Sequence, residues 1–324
     1  MTSSAAAPAR PAVGRVRRLL PWVVLAVVLV LGAWVIWARR EEVGSALAEI
    51  GVARAALSVV PTVVAVVMTA LCWRVWLGAF GARPPMLAAG RLFLVTQAGK
   101  YLPGSVWPFL AQAALSRLVG LGRAAVLTAT ALFLLTHIAT GIGLGVLAVG
   151  PAAVDRPWLL GAAALACTLA LAPPVQRRLL GLARRVRPTL TLPPGLTWGR
   201  TGAAVLAMVV AWAGYGVATY VLAAPLGASP ADLWRITGAY ALAWVVGFLV
   251  VAAPAGAGAR EVVLVALLTP VVGAGGGIAV AVVSRVVLTA VDLGLAAVSV
   301  RVLDRRGESA AGDESAAGDG APSG

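Results

Sequence analysis

Charge is the first thing this sequence has little of. Only 12% of its 324 residues are Asp, Glu, Lys or Arg, too few to clothe a water-exposed globule of this length, so a soluble domain is excluded. Acids are scarcer than bases, 12 against 26. Lysine occurs once, at Lys100, and histidine once, at His137. One histidine with no neighbouring Cys, Asp or Glu makes no metal site and reads as a packed, hydrogen-bonded core residue. Cys72 and Cys167, the two cysteines, lie in separate apolar runs and read as small buried hydrophobes. No Walker loop, HExxH, GxSxG or acidic metal cluster is present. An ATP-driven pump is therefore not expected, and neither a metal nor a cofactor is called for.

What the chain does have is apolar surface: 60% hydrophobic residues and a mean hydropathy of +0.94. Lipid must solvate most of it. The arginines behind the net charge of +14 fall in short clusters between apolar runs, as in cytoplasmic membrane loops that meet anionic headgroups. Nucleic acid is not an expected partner. Arginine preferred to lysine, with abundant Ala, Gly and Val, suggests a GC-rich bacterial genome and so a bacterial cytoplasmic membrane.

"RVRR" (Arg15 to Arg18) precedes an apolar stretch at 20–38, longer than a signal-peptide core and without a small-residue cleavage site. It reads as an uncleaved first span. Residues 41–54 read as an interfacial helix. Further uncharged runs lie at 55–73, 124–150, 158–175, 201–224, 237–259 and 262–284, with the last helix continuing to about 300. The basic stretches 176–188 and 301–306 belong on the cytoplasmic side. Residues 1–14 and 307–324 read as disordered, leaving 15–306 as the membrane domain.

Two regions resist a simple count. Around 85–118 the pieces between breaks are short. Around 237–273 an apolar helix stops at "APAGAGARE" (253–261), and the next piece is interrupted again at Pro270 and "GAGGG". An eleven-residue helix reaches only about 16 Å, half the hydrocarbon thickness. These pieces read as re-entrant hairpins, since irregular backbone at membrane depth needs protein or a polar cavity around it. The expectation is an all-α polytopic membrane protein of about six full spans and two re-entrant broken-helix hairpins. With both termini cytoplasmic, the first hairpin opens inward and the second outward, which is the relation of an inverted repeat. Trp22, Trp34, Trp37, Trp73, Trp76, Trp107 and Trp158 mostly flank spans, as interfacial belts do.

The segments "QAGKYLPGSVW" (97–107) and "APAGAGAREVVLVALL" (253–268) resemble the membrane region of lysylphosphatidylglycerol synthases and the stand-alone bacterial and archaeal proteins of that flippase-like family. The family's patterns are similar to G-K-Y-[LI]-P-G-x-[VIL]-W and P-G-G-[LIV]-G-x-R-E. One departure is Ala255, where glycine is usual. The resemblance covers about residues 15 to 305. It implies a protein that moves, or helps to move, an anionic or modified phospholipid or a polyprenyl-linked lipid between leaflets. In the full synthases this region precedes a soluble aminoacyl transfer domain; here the translocation module alone is expected, without that enzymatic activity. A membrane-embedded lipid-modifying transferase, or a scaffold for a separate lipid enzyme, is the alternative.

The motifs place Lys100, Tyr101, Pro103, Gly104 and Trp107 at the first break, and Pro254, Gly256, Gly258, Arg260 and Glu261 at the second. Lys100 is either a headgroup contact beside broken-helix amides or a snorkelling anchor. Glu261 suits a helix N-terminus whatever its role, while Arg260 gains nothing from that dipole. An arginine fork matches phosphate bidentately. Arg285 and Asp292, two turns apart in the last span, share a face but are too far apart for an ideal direct pair. Each should face protein or water, and Glu261 with Arg285 is a plausible pair between helices. Structural ion pairing and a headgroup pathway both fit them. No catalytic group is assigned.

Overall fold

Where water cannot solvate backbone amides, the chain must satisfy them within helices, and every regular element among the described residues is helical. The computed structural model describes residues 30, 33–34, 36–101, 106–149, 158–250 and 256–318. Residues 1–14, most of the first expected span, Pro103, Gly104, Pro254, Ala255 and the end of the tail lie outside them.

The helices are α1 (Arg40–Leu77), α2 (Met86–Gln97), α3 (Trp107–Ala114), α4 (Arg123–Val149), α5 (Trp158–Leu171), α6 (Pro173–Val186), α7 (Trp198–Ala223), α8 (Leu233–Leu249) and α9 (Ala259–Gly318). Four stretches are long and apolar enough to cross a membrane: Arg40–Phe80, Arg123–Val146, Trp198–Leu226 and Ala259–Val300. The α5–α6 pair, bent by 79°, would make a fifth. The described residues thus hold four to five candidate spans.

Two glycines divide the long helices. Gly51 (φ 59°, ψ 170°) separates the first turns of α1, the expected interfacial segment, from its long apolar part. Gly273 (φ 71°, ψ 170°) does the same in α9. Of the two interruptions expected near 270–277, only the glycine one exists. Pro270 sits inside the helix, because its fixed φ is helical, whereas a φ of 71° is open only to glycine at low cost.

The region around 85–118 is built as expected from short pieces. α2 has 12 residues and α3 has 8, about 18 and 12 Å at the helical rise. The fourth run does not continue straight. It bends at Ala172, where Pro173 and Pro174 start a new helix, a position that tolerates proline's missing N–H. The basic stretch 176–188 is consequently mostly helix rather than loop. Its buried Pro173, Gln176 and Leu180 share one face, and Arg184 and Arg185 complement its C-terminal dipole.

The centre of the fold is held by tryptophans that hydrogen-bond to threonines of α4. The Nε1–H groups of Trp73, Trp76 and Trp212 donate to Thr130, Thr136 and Thr140 at 3.0, 3.1 and 3.0 Å. Trp73 and Trp76 are wholly buried, which corrects their reading as belt residues. A span-end tryptophan can face inward when a neighbouring helix offers an acceptor for its N–H. Trp34, Trp37 and Trp158 are exposed, as a belt requires. Cys72 is buried, Cys167 is partly so, and both are free thiols.

Candidate functional site

Glycine sets the shape of both broken segments. At the first, a Cβ on Gly99 would lie 3.1 Å from the Trp107 Cβ and 3.3 Å from the Pro108 nitrogen. The chain entering the break therefore runs against the start of α3, and Gly99 keeps that approach open. At the second, Gly256 takes φ 70° and Gly258 φ 86°. A Cβ on Gly256 would lie 2.6 Å from the Gly247 carbonyl oxygen of α8, and one on Gly247 would lie 2.8 Å from the Arg260 Cβ. Two glycines facing each other seat the start of α9 directly on α8. Glu261, the third residue of that helix, accepts from the Gly258 N–H at 2.6 Å, which is half of a capping box.

The two breaks converge on one cavity of about 110 Å³. Lys100 and Tyr101 reach it from the first break, and Gly256 and Arg260 from the second. Arg285 and Asp292 reach it from the later part of α9. The Lys100 Nζ is 2.7 Å from Asp292 Oδ2, and the Tyr101 hydroxyl donates to the same oxygen at 2.7 Å. Arg285 Nη1 is 3.4 Å from Glu261 Oε1, the pair the sequence suggested. Arg285 and Asp292 thus share a face but each turns to a different partner. Trp107 begins α3 and is half-exposed outside this cavity.

Arg260 is different. It is 5% exposed, its guanidinium stands 4.6 Å over the Tyr240 ring, and its Nη2 has no hydrogen-bond partner among the described residues. Lys100, Arg260 and Arg285 face two carboxylates, Asp292 and Glu261, both engaged by other cations. The cluster carries one surplus positive charge, and Arg260 is where it sits. A cation–π contact is worth about 2 kcal/mol or more when desolvated, which offsets much of the about 2.5–3.5 kcal/mol needed to place an arginine mid-membrane on insertion scales. The Arg260 Nη2 still stands unsatisfied among the described residues, beside the cavity that Arg260 lines.

An aromatic wall completes the cavity. Tyr215 stacks on Tyr240 at 5.2 Å, His137 on Trp244 at 3.7 Å and Trp244 on Phe248 at 5.3 Å. His137 is packed as expected, but it is not hydrogen-bonded. Neither ring nitrogen has a partner among the described residues, because its neighbours Phe133, Trp212 and Trp244 are all aromatic rings. The sequence reading passed over this wall, although Tyr240, Trp244 and Phe248 at four-residue spacing mark one helical face. Among the described residues no group of His, Cys, Asp and Glu could hold a metal.

No curated protein is similar enough to be matched with the chain. Its residues 20–296 match the family model described as the lysylphosphatidylglycerol synthase TM region, which spans both broken segments and every residue of the charged cluster. The chain belongs to that family.

Proposed function

We propose that this protein translocates a lipid between membrane leaflets, taking an anionic phospholipid or a polyprenyl-linked phosphate lipid as its cargo. The observation that carries this reading is Arg260, buried with a free guanidinium nitrogen in a cavity where the other charges are paired. A lipid phosphate would complete its hydrogen bonding bidentately, while the acyl chains remain in the hydrocarbon. Helix N-terminal amides at each break would add roughly half a positive charge apiece. For Lys100 to join the phosphate it must share or leave Asp292, so entry of the headgroup and rearrangement of that ion pair are one event.

The topology we infer has six spans, two re-entrant hairpins and both termini on the cytoplasmic side of a bacterial plasma membrane. We infer two structurally related halves, one around each broken segment, from the way both segments line one cavity. Their relative movement would expose the cavity to one leaflet and then the other. A separately encoded lipid-modifying enzyme could supply the cargo.

The test is lipid movement in reconstituted vesicles. Lys100→Gln and Arg260→Gln should each abolish translocation of a fluorescent anionic phospholipid while insertion and expression stay near the parental level. Parental rates in both variants would show that the two breaks are structural.

A further inference from the structure

Away from the central cavity, a second cavity of about 330 Å³ lies where the loop after α1 meets the start of α7. Its lining includes Arg74, Arg83 and Arg200, the helix-start residues Thr197 and Gly199, and no acid. Nor is any of the three arginines ion-paired with a carboxylate among the described residues. Loop arginines of such a chain ordinarily spread into water or headgroups, whereas these three line one hollow, where their like charges repel one another.

The surrounding backbone is held firmly. Arg74 Nε donates to the Pro84 carbonyl at 2.9 Å. Arg200 Nη1 donates to the Gly195 carbonyl, and Arg177 Nη2 to that of Leu196. The Gly195 N–H reaches the Ala79 carbonyl at 2.9 Å, tying the two loops together. Arg200 lies over Gly78, where a Cβ would be 3.6 Å from its Nε. Arg74 and Arg200 therefore each spend one N–H on orienting themselves and keep others for a ligand. Arg83 is exposed at the rim. Thr197 caps α7 by accepting the Arg200 N–H at 3.3 Å, and the helix start leaves further amide donors without intrahelical partners.

We propose that Arg74, Arg83 and Arg200, with the N-terminus of α7, form a second binding site that takes a phosphate-bearing anion, distinct from the central cavity. Oriented forks, helix-end amides and the absence of any competing acid match a phosphate group, and the volume accommodates a glycerol-phosphate headgroup. Its position at a helix end suits a headgroup held at one face of the membrane rather than one in transit.

Native mass spectrometry of the purified full-length chain, titrated with short-chain phosphatidylglycerol or phosphatidylcholine, tests this. Phosphatidylglycerol should bind in preference to phosphatidylcholine. Arg83→Gln with Arg74→Gln should weaken that binding about tenfold or more, and added salt should weaken it too. Should the double variant fold poorly, Arg83→Glu decides alone, because Arg83 is exposed and its loss breaks no hydrogen bond among the described residues. Competition with glycerol phosphate separates the sources. Displacement identifies a site that reads free phosphate, and persistence identifies one that needs the acyl chains; both uphold it. Retention of equal binding in Arg83→Glu, or loss of all phosphatidylglycerol binding in Arg260→Gln alone, overturns the second site. The first result leaves the Arg260 reading untouched, and the second would assign all bound lipid to the central cavity.

Discussion

Asp292 holds the site together at the scale of single residues. It is 4% exposed and bonds both Lys100 and Tyr101. Removing its charge leaves an ammonium in a half-dry setting, so Asp292→Asn should lower stability in detergent by about 1–3 kcal/mol, below the range for a fully buried pair. Lys100→Met combined with Asp292→Leu should recover most of that loss yet remain inactive in lipid translocation. An active double variant would make the pair a purely structural bridge. Glu261 separates cap from charge in the same way. Glu261→Gln keeps an acceptor for the Gly258 N–H, while Glu261→Ala removes it and should cost about 1 kcal/mol more. Equal unfolding temperatures for the two would mean that the ion pair with Arg285, and not the cap, is what Glu261 supplies.

Elements meet here through glycines and tryptophans. Gly256 cannot accept a side chain for two independent reasons: its φ of 70° and the 2.6 Å approach to the Gly247 carbonyl oxygen. Gly256→Ala should lift the start of α9 from α8 and displace Arg260, reducing translocation by at least about tenfold even in protein that still inserts. Full activity would mean that α9 can be reseated without cost to the site. The Trp73–Thr130 bond continues to the Gln112 side chain, which accepts from Thr130 at 2.8 Å, so α1, α4 and α3 share one chain of hydrogen bonds. Thr130→Val should destabilise the fold by about 0.6–1.7 kcal/mol, the span measured for interhelical hydrogen bonds in membranes. A thermal-unfolding shift of zero would show that water takes over the bond. The short lengths of α2 and α3 were readable from the breaks around them, because glycine and proline act locally. The packing of Gly247 on Gly256 was not, because a glycine's need for space depends on which backbone lies opposite.

The arrangement of the whole chain in the membrane follows from contacts between distant loops. The Gly195 N–H to Ala79 carbonyl bond places residues 78–85 and 187–197 at the same end of the molecule. Cysteines introduced at Arg83 and Thr191 should therefore react with a membrane-impermeant probe from the same side, which under the topology proposed above is the cytoplasmic one. Labelling from opposite sides would contradict the fold, while labelling of both from outside would invert only its orientation.

The sequence by itself determined the solvent of this protein, its helical class and the short pieces around 85–118, but not the bend at Ala172 or the unbroken course of the helix through Pro270. Apolar runs cannot be hydrated, and glycine and proline act on the backbone where they stand. Its two motifs were enough to indicate the family. Only the tertiary structure decided which charges answer one another: Lys100 with Asp292, Glu261 with Arg285, and Arg260 left over against Tyr240. It also turned Trp73 and Trp76 inward and stacked His137 on Trp244. Those outcomes depend on distances of a few ångströms between helices far apart in the chain, and within a helix they are set by which neighbour faces each side chain, a quantity that spacing along the sequence does not contain.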